Sequence, residues 1–141
     1  DLEAFIAAKR LGPDALQIGG NAFADTIGRT RGAVKSALLN QRKLAGVGNL
    51  WADETLFRSK VHPATPGTAL PAEVLTRMHR DMLDILNAVI ATGANYAQLP
   101  RDWLIHNRTV GAKTAAGGRI EKMTIGGRTS FFCPAEQIPP D

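Results

Sequence analysis

Apolar positions recur at helical spacing through most of the chain and shift to a strand-like pattern only near its end. Leu75, Met78, Met82, Leu86 and Val89 repeat every three or four residues, which predicts one long helix over residues 71–92. Pro71 suits its first turn, and Gly93 suits its stop. Shorter helices are predicted over residues 2–11, carried by Leu2, Phe5 and Ile6, and over residues 21–27, with Asn21 as the cap. Val34, Ala37 and Leu38 share one side of a helix predicted over residues 33–41, with Lys35 on another side. Leu50, Trp51, Leu56 and Phe57 mark the next, over residues 49–60. Breaks fall at Gly12-Pro13-Asp14, at residues 28–32 and at residues 62–67. After Trp103 the chain turns small and polar. Residues 119–125 and 129–133 then carry β-prone side chains around Gly126-Gly127, a two-residue hairpin signal. The predicted fold class is mainly α, a helical bundle over residues 1–104 followed by a small antiparallel β-hairpin over residues 105–141, with an irregular tail.

Charge adds a direction to this picture. The net charge is +4 over 141 residues, and its distribution says more than its sum. Residues 26–60 hold seven basic and two acidic side chains, and residues 101–128 hold six and two. Two basic zones separated by a nearly neutral helix fit a polyanion gripped in two places, or equally two solvated loops. One cysteine, Cys133, excludes an internal disulfide and an all-cysteine zinc site. No apolar run approaches membrane-spanning length, so no membrane partner is expected.

The densest chemistry lies in Gln41-Arg42-Lys43-Leu44-Ala45-Gly46-Val47-Gly48-Asn49. Glycines at 46 and 48 let the backbone approach another backbone closely. The helix that starts near Asn49 presents unpaired N–H groups and a positive dipole end. Asn49 could donate to a phosphate oxygen there, or simply cap its helix.

Residues 35–63 closely resemble the helix–two-turn–helix region of the formamidopyrimidine-DNA glycosylase and endonuclease VIII family. The residues that carry the match are Lys35, Gln41-Arg42, Ala45-Gly46-Val47-Gly48-Asn49, Trp51-Ala52-Asp53-Glu54, Leu56-Phe57 and His62-Pro63, with Leu11-Gly12-Pro13-Asp14 resembling the entry to the same domain. The resemblance implies double-stranded DNA, damaged or undamaged, as the partner. It implies Lys35 and Asn49 as phosphate contacts, Gly46 and Gly48 as the turn that admits the backbone, and Arg29 and Arg31 as further backbone contacts. It also implies a cytoplasmic, nucleoid-associated location in a bacterium.

The hairpin carries a second match. In the family it is a four-cysteine zinc finger, and alignment puts the ligand positions at Lys113, Ala116, Cys133 and Glu136. Three of four cysteines are absent, so neither metal nor cofactor is expected, and Ile120, Ile125, Phe131 and Phe132 are expected to hold this zincless finger by packing. Arg128 occupies the position of the family's hairpin arginine, which enters DNA at the lesion phosphates and is assigned to the elimination step; a guanidinium there can donate two parallel bonds to a phosphate.

The family's covalent chemistry uses an N-terminal proline amine and an adjacent glutamate on a separate domain. The chain opens Asp1-Leu2-Glu3 instead, and Pro13 is internal. The expectation is therefore DNA binding without glycosylase activity, as a degenerate paralogue. Alternatives are a piece of an active glycosylase, or an RNA-binding or protein-interaction module, since helix–two-turn–helix units also occur in a ribosomal protein.

Overall fold

The computed structural model describes residues 11–139. Among them are four α-helices, α1 (Gly20–Gly28), α2 (Val34–Leu39), α3 (Asn49–Ser59) and α4 (Ala72–Ala91), then strands β1 (Glu121–Ile125) and β2 (Arg128–Phe132). Short 3₁₀ turns at Gly67–Ala69, Tyr96–Gln98 and Leu104–Asn107 connect them. The mainly helical body followed by one hairpin matches the predicted class. The helix predicted over residues 2–11 lies outside the described residues, apart from Leu11.

Helix α4 buries Leu75, Met78, Met82, Ile85 and Leu86 on one stripe. Full burial of Met78 and Met82 contributes about 1.5–3 kcal/mol for each side chain. The stripe meets α1 through Phe23 and Ile27 and α3 through Trp51, Ala52 and Leu56 in one continuous core. Pro71 is its N-cap, and Gly93 takes φ +59 just past the C-cap Thr92. Asn21 is not a cap. Helix α1 begins one residue earlier, after Gly19, with no side-chain capping bond. Its N-terminus is thus set by packing of Phe23 and Ile27 and not by local polar chemistry.

Helix α3 is central and is buried on almost every side, including Asp53 and Glu54. It ends where Lys60 adopts φ 63 and the amides of Lys60 and Val61 return to the carbonyls of Phe57 and Leu56. The hairpin pairs Glu121 with Phe132 through Ile125 with Arg128, so Gly126 and Gly127 are its two-residue turn. Both have positive φ, +57 and +77, as a primed turn requires. A second cluster of Phe57, Leu104, Ile120 and Cys133, flanked by Phe131, joins the hairpin to the helical body. Phe132 is buried and meets the His62 ring edge-on at 4.9 Å.

Candidate nucleic-acid interface

The loop from Gln41 to Asn49 is built from below and from within. Segment 12–15 pairs with it: Gly12 N–H donates to the Gln41 carbonyl, Ala15 N–H to Ala45, and Ala45 N–H to Pro13. Gly12 has no room for a side chain there, because a Cβ would collide with the Arg42–Lys43 backbone. The Gln41 side chain spans the loop, accepting from Gly46 N–H at 3.0 Å and reaching the Val47 carbonyl at 3.4 Å. Gly46 takes φ +103, which an L side chain adopts only with strain. Its amide is thereby committed to Gln41 and its role is to turn the chain.

Gly48, not Asn49, is the N-cap of α3, and it supplies no capping side chain. The α3 N-terminus thus lies beside an exposed glycine with its dipole end uncapped. Asn49 is the first helical residue. Its side-chain amide donates to the Thr129 carbonyl at 3.2 Å, while its Oδ1 is buried without a partner. The capping alternative for Asn49 is therefore not the one the chain adopts.

The same Thr129 carbonyl accepts from Lys35 Nζ at 3.0 Å. Lys35 also donates to Ser130 Oγ at 2.6 Å and lies 2.8 Å from Asp53 Oδ1. Neither the Lys35 nor the Asp53 side chain has exposed surface. Lys35, expected as a phosphate contact, thus spends its ammonium inside the protein, tying α2 to β2. Burial pulls its pKa below the ordinary lysine value, opposed by Asp53. Asp53 further accepts from Arg108, with Nη2 at 2.9 Å, and from the Phe131 amide at 3.1 Å. The Arg108 guanidinium also lies over the Phe131 ring at 4.6 Å.

Next along α3, Glu54 accepts the amides of Leu104 and Ile105 at 2.8 and 2.9 Å, and so anchors the 3₁₀ turn that leads to the hairpin. Burial raises its pKa, and those two amides oppose the rise.

These contacts bring Lys35, Asn49 and Arg128 together at one seam. Arg128 and Thr129 are exposed at the hairpin tip, and Gly126 faces Ser36 of α2 so closely that an added Cβ would lie 3.0 Å from its hydroxyl. Arg29 and Arg31 are exposed on the α1–α2 connector. Lys43 ties this connector to the glycine loop by reaching Thr30 Oγ1 at 3.3 Å. The gross charge count overstates the free charge: Lys35, Arg108 and Lys60 are paired with carboxylates. Among the described residues, Arg29, Arg31, Arg42, Arg80, Arg101, Lys113, Arg119, Lys122 and Arg128 are exposed and have no carboxylate partner.

Sequence reasoning gave Asp53, Glu54, Arg108 and Ser130 no role. The available signal was two adjacent acids in a helix otherwise flanked by Trp51, Leu56 and Phe57. Buried acids in such a place need partners.

At the other end of the hairpin, the residues do not fit a zinc site. Glu136 accepts from Lys60 Nζ at 2.7 Å and from the Thr114 hydroxyl, and lies 3.4 Å from Cys133 Sγ. An ammonium already occupies the one nearby carboxylate, and no three His, Cys, Asp or Glu residues converge among the described residues. Burial pushes the Cys133 thiol up, away from the thiolate a metal requires. Gln137 completes the join, accepting from Cys133 N–H at 2.8 Å and donating to the Val61 carbonyl at 2.9 Å.

Residues 11–100 match the family described as "Formamidopyrimidine-DNA glycosylase H2TH domain". The chain is 37% identical over 141 aligned positions to formamidopyrimidine-DNA glycosylase of Gloeobacter violaceus, covering 91% of this chain and 50% of that protein. It is 31% identical over 131 positions to the Arabidopsis thaliana protein of the same name, covering 90% and 34%. The chain thus spans from a third to about half the length of these relatives. The Thermus thermophilus MutM (Fpg) structure superposes over the whole chain with a TM-score of 0.84 at 26% identity, covering 59% of that protein. Lactococcus lactis Fpg in complex with abasic-site DNA superposes with a TM-score of 0.81 at 25% identity, covering 97% of this chain and 55% of that one.

Proposed function

The chain belongs to the formamidopyrimidine-DNA glycosylase family through its H2TH domain, and from that premise we propose that it grips duplex DNA by the sugar–phosphate backbone. Asn49, Gly48 and the open end of α3 form one contact, Arg128 at the hairpin tip a second, and Arg29 and Arg31 a third. Gly46 shapes the loop and Lys35 supports the hairpin from within. Residues 1–104 act as the helical binding domain and residues 105–141 as the hairpin domain. The observation that carries this reading is the hydrogen bond from the Asn49 amide to the Thr129 carbonyl, which sets Asn49 against the hairpin tip next to Arg128, beside an uncapped helix N-terminus. Solved L. lactis Fpg complexes hold abasic-site and Fapy-dG DNA, so a damaged duplex is the preferred substrate to test.

Binding to an abasic-site duplex should weaken steeply as salt rises, because each neutralised phosphate releases counterions. Arg128→Ala should reduce the slope of log affinity against log salt by about 1 and weaken intact and damaged duplexes alike. Affinity that does not change between low and high salt overturns the reading. Tighter binding to structured RNA in direct competition would favour an RNA-binding module instead.

A second reading rests on the coverage of relatives: the chain serves as the binding half of a longer glycosylase. Borohydride reduction on damaged duplex separates the two. A covalent adduct formed by a longer gene product and not by this chain supports the second. No adduct with either supports binding alone.

A further inference from the structure

The hairpin has only two strands, and among the described residues no third strand pairs with it. Such a ribbon is marginal alone, so its place on the helical body must be set by side-chain contacts. At the tip end those contacts meet at one residue. Asp53 holds Lys35 at 2.8 Å, Arg108 at 2.9 Å and the β2 backbone through the Phe131 amide at 3.1 Å. Lys35 passes the restraint on to Thr129 and Ser130, the two residues that follow Arg128. Asn49, one turn before Asp53 on α3, binds the same Thr129 carbonyl. One buried carboxylate thereby gathers Lys35, Arg108 and the β2 backbone.

We propose that Asp53 is a positioning residue for the DNA grip, holding the hairpin so that Arg128 and Asn49 address the same stretch of backbone. This rests on the binding function proposed above. The three buried or part-buried charges sum to +1, one carboxylate against two cations. Removing the carboxylate makes the seam more positive, so a purely electrostatic role would tighten DNA binding. A positioning role would loosen it and would make Arg128 ineffective.

The test is a double-mutant cycle on a duplex carrying a stable abasic-site analogue. Affinities are measured for the wild-type chain, Arg128→Ala, Arg29→Ala and Asp53→Asn, and for Asp53→Asn combined with each arginine change. Arg128→Ala is expected to cost about tenfold in the wild-type background and less than about twofold beside Asp53→Asn. Whatever Arg29→Ala costs, it costs in both backgrounds, because among the described residues no hydrogen bond or ion pair of Asp53 or Lys35 reaches Arg29. An equal Arg128→Ala penalty in both backgrounds, or tighter binding by Asp53→Asn, overturns the proposal while leaving DNA binding intact. No duplex binding by the wild-type chain overturns the binding function and the proposal together. If Asp53→Asn does not melt cooperatively, Arg108→Gln, which keeps the Lys35–Asp53 pair but removes a cation, takes its place, and the Arg128→Ala penalty alone decides: a penalty below about twofold in that background supports the proposal and an undiminished one overturns it.

Discussion

The hairpin is joined to the helical body at its tip and at its base by what looks like the same chemistry. At the tip, the Lys35 ammonium lies 2.8 Å from Asp53. At the base, the Lys60 ammonium lies 2.7 Å from Glu136. The surroundings differ. The tip pair has no exposed side-chain surface, whereas Lys60 is 53% exposed. An exposed pair is screened by water and contributes about 0–1 kcal/mol. Breaking a buried pair strands the remaining charge and costs about 3–5 kcal/mol. Distance alone therefore ranks these pairs as equals, and burial separates them. The tip is located by charge, while the base is located by apolar contacts and neutral hydrogen bonds.

The largest test of that contrast is Asp53→Ala. It leaves Lys35 and Arg108 without their carboxylate and the Phe131 amide without its acceptor, and should destabilise the protein by about 3–5 kcal/mol in urea unfolding at neutral pH. A loss below about 1 kcal/mol would place this pair with the exposed ones and erase the distinction.

Next comes the base, where a neutral amide is expected to matter more than the ion pair. Gln137 is buried, and Gln137→Ala leaves the Cys133 N–H and the Val61 carbonyl unpaired. The expected cost is about 1–3 kcal/mol in the same measurement. Gly118→Ala presses on this join from the other side, since its Cβ would collide with Cys133 Sγ and approach Glu136 Oε2 to 3.1 Å. Overpacking there should cost about 1–3 kcal/mol, because the Cys133 thiol it meets is fully buried. If either variant unfolds at the wild-type urea midpoint, the base is not held by these groups.

The two regions also differ in how well they were legible in the sequence. The hairpin, its Gly126-Gly127 turn and the long helix α4 follow from local rules, because period and turn chemistry are properties of consecutive residues. The meeting of Asn49 with the hairpin tip at Thr129 was accessible only through resemblance, since 80 positions separate them. The fate of Lys35 was not visible at all. A lysine on a short helix reads as solvated, and only the packing of β2 over α2 encloses it with Asp53. Asn21 failed as a cap for the opposite reason: the local preference was real, but burial of Phe23 and Ile27 fixed the start of α1 elsewhere.

The smallest expected effect lies at the Lys60–Glu136 pair, and it also has a sign. Burial alone would raise the Glu136 pKa, but the Lys60, Thr114 and Cys133 bonds outweigh it and hold the carboxyl below its ordinary value of 4.5. A carboxylate depressed on folding stabilises the fold above its unfolded pKa and loses that contribution as pH falls through the folded value. The wild-type protein should therefore shed a small part of its stability below pH 4.5 that Lys60→Met does not shed to the same extent. At neutral pH, Lys60→Met should cost no more than about 1 kcal/mol, because half of the lysine is already in water. Thermal melts of both proteins across that acid window provide the measurement. A neutral-pH loss as large as that of Asp53→Ala would mean that the hairpin base, like its tip, is located by charge.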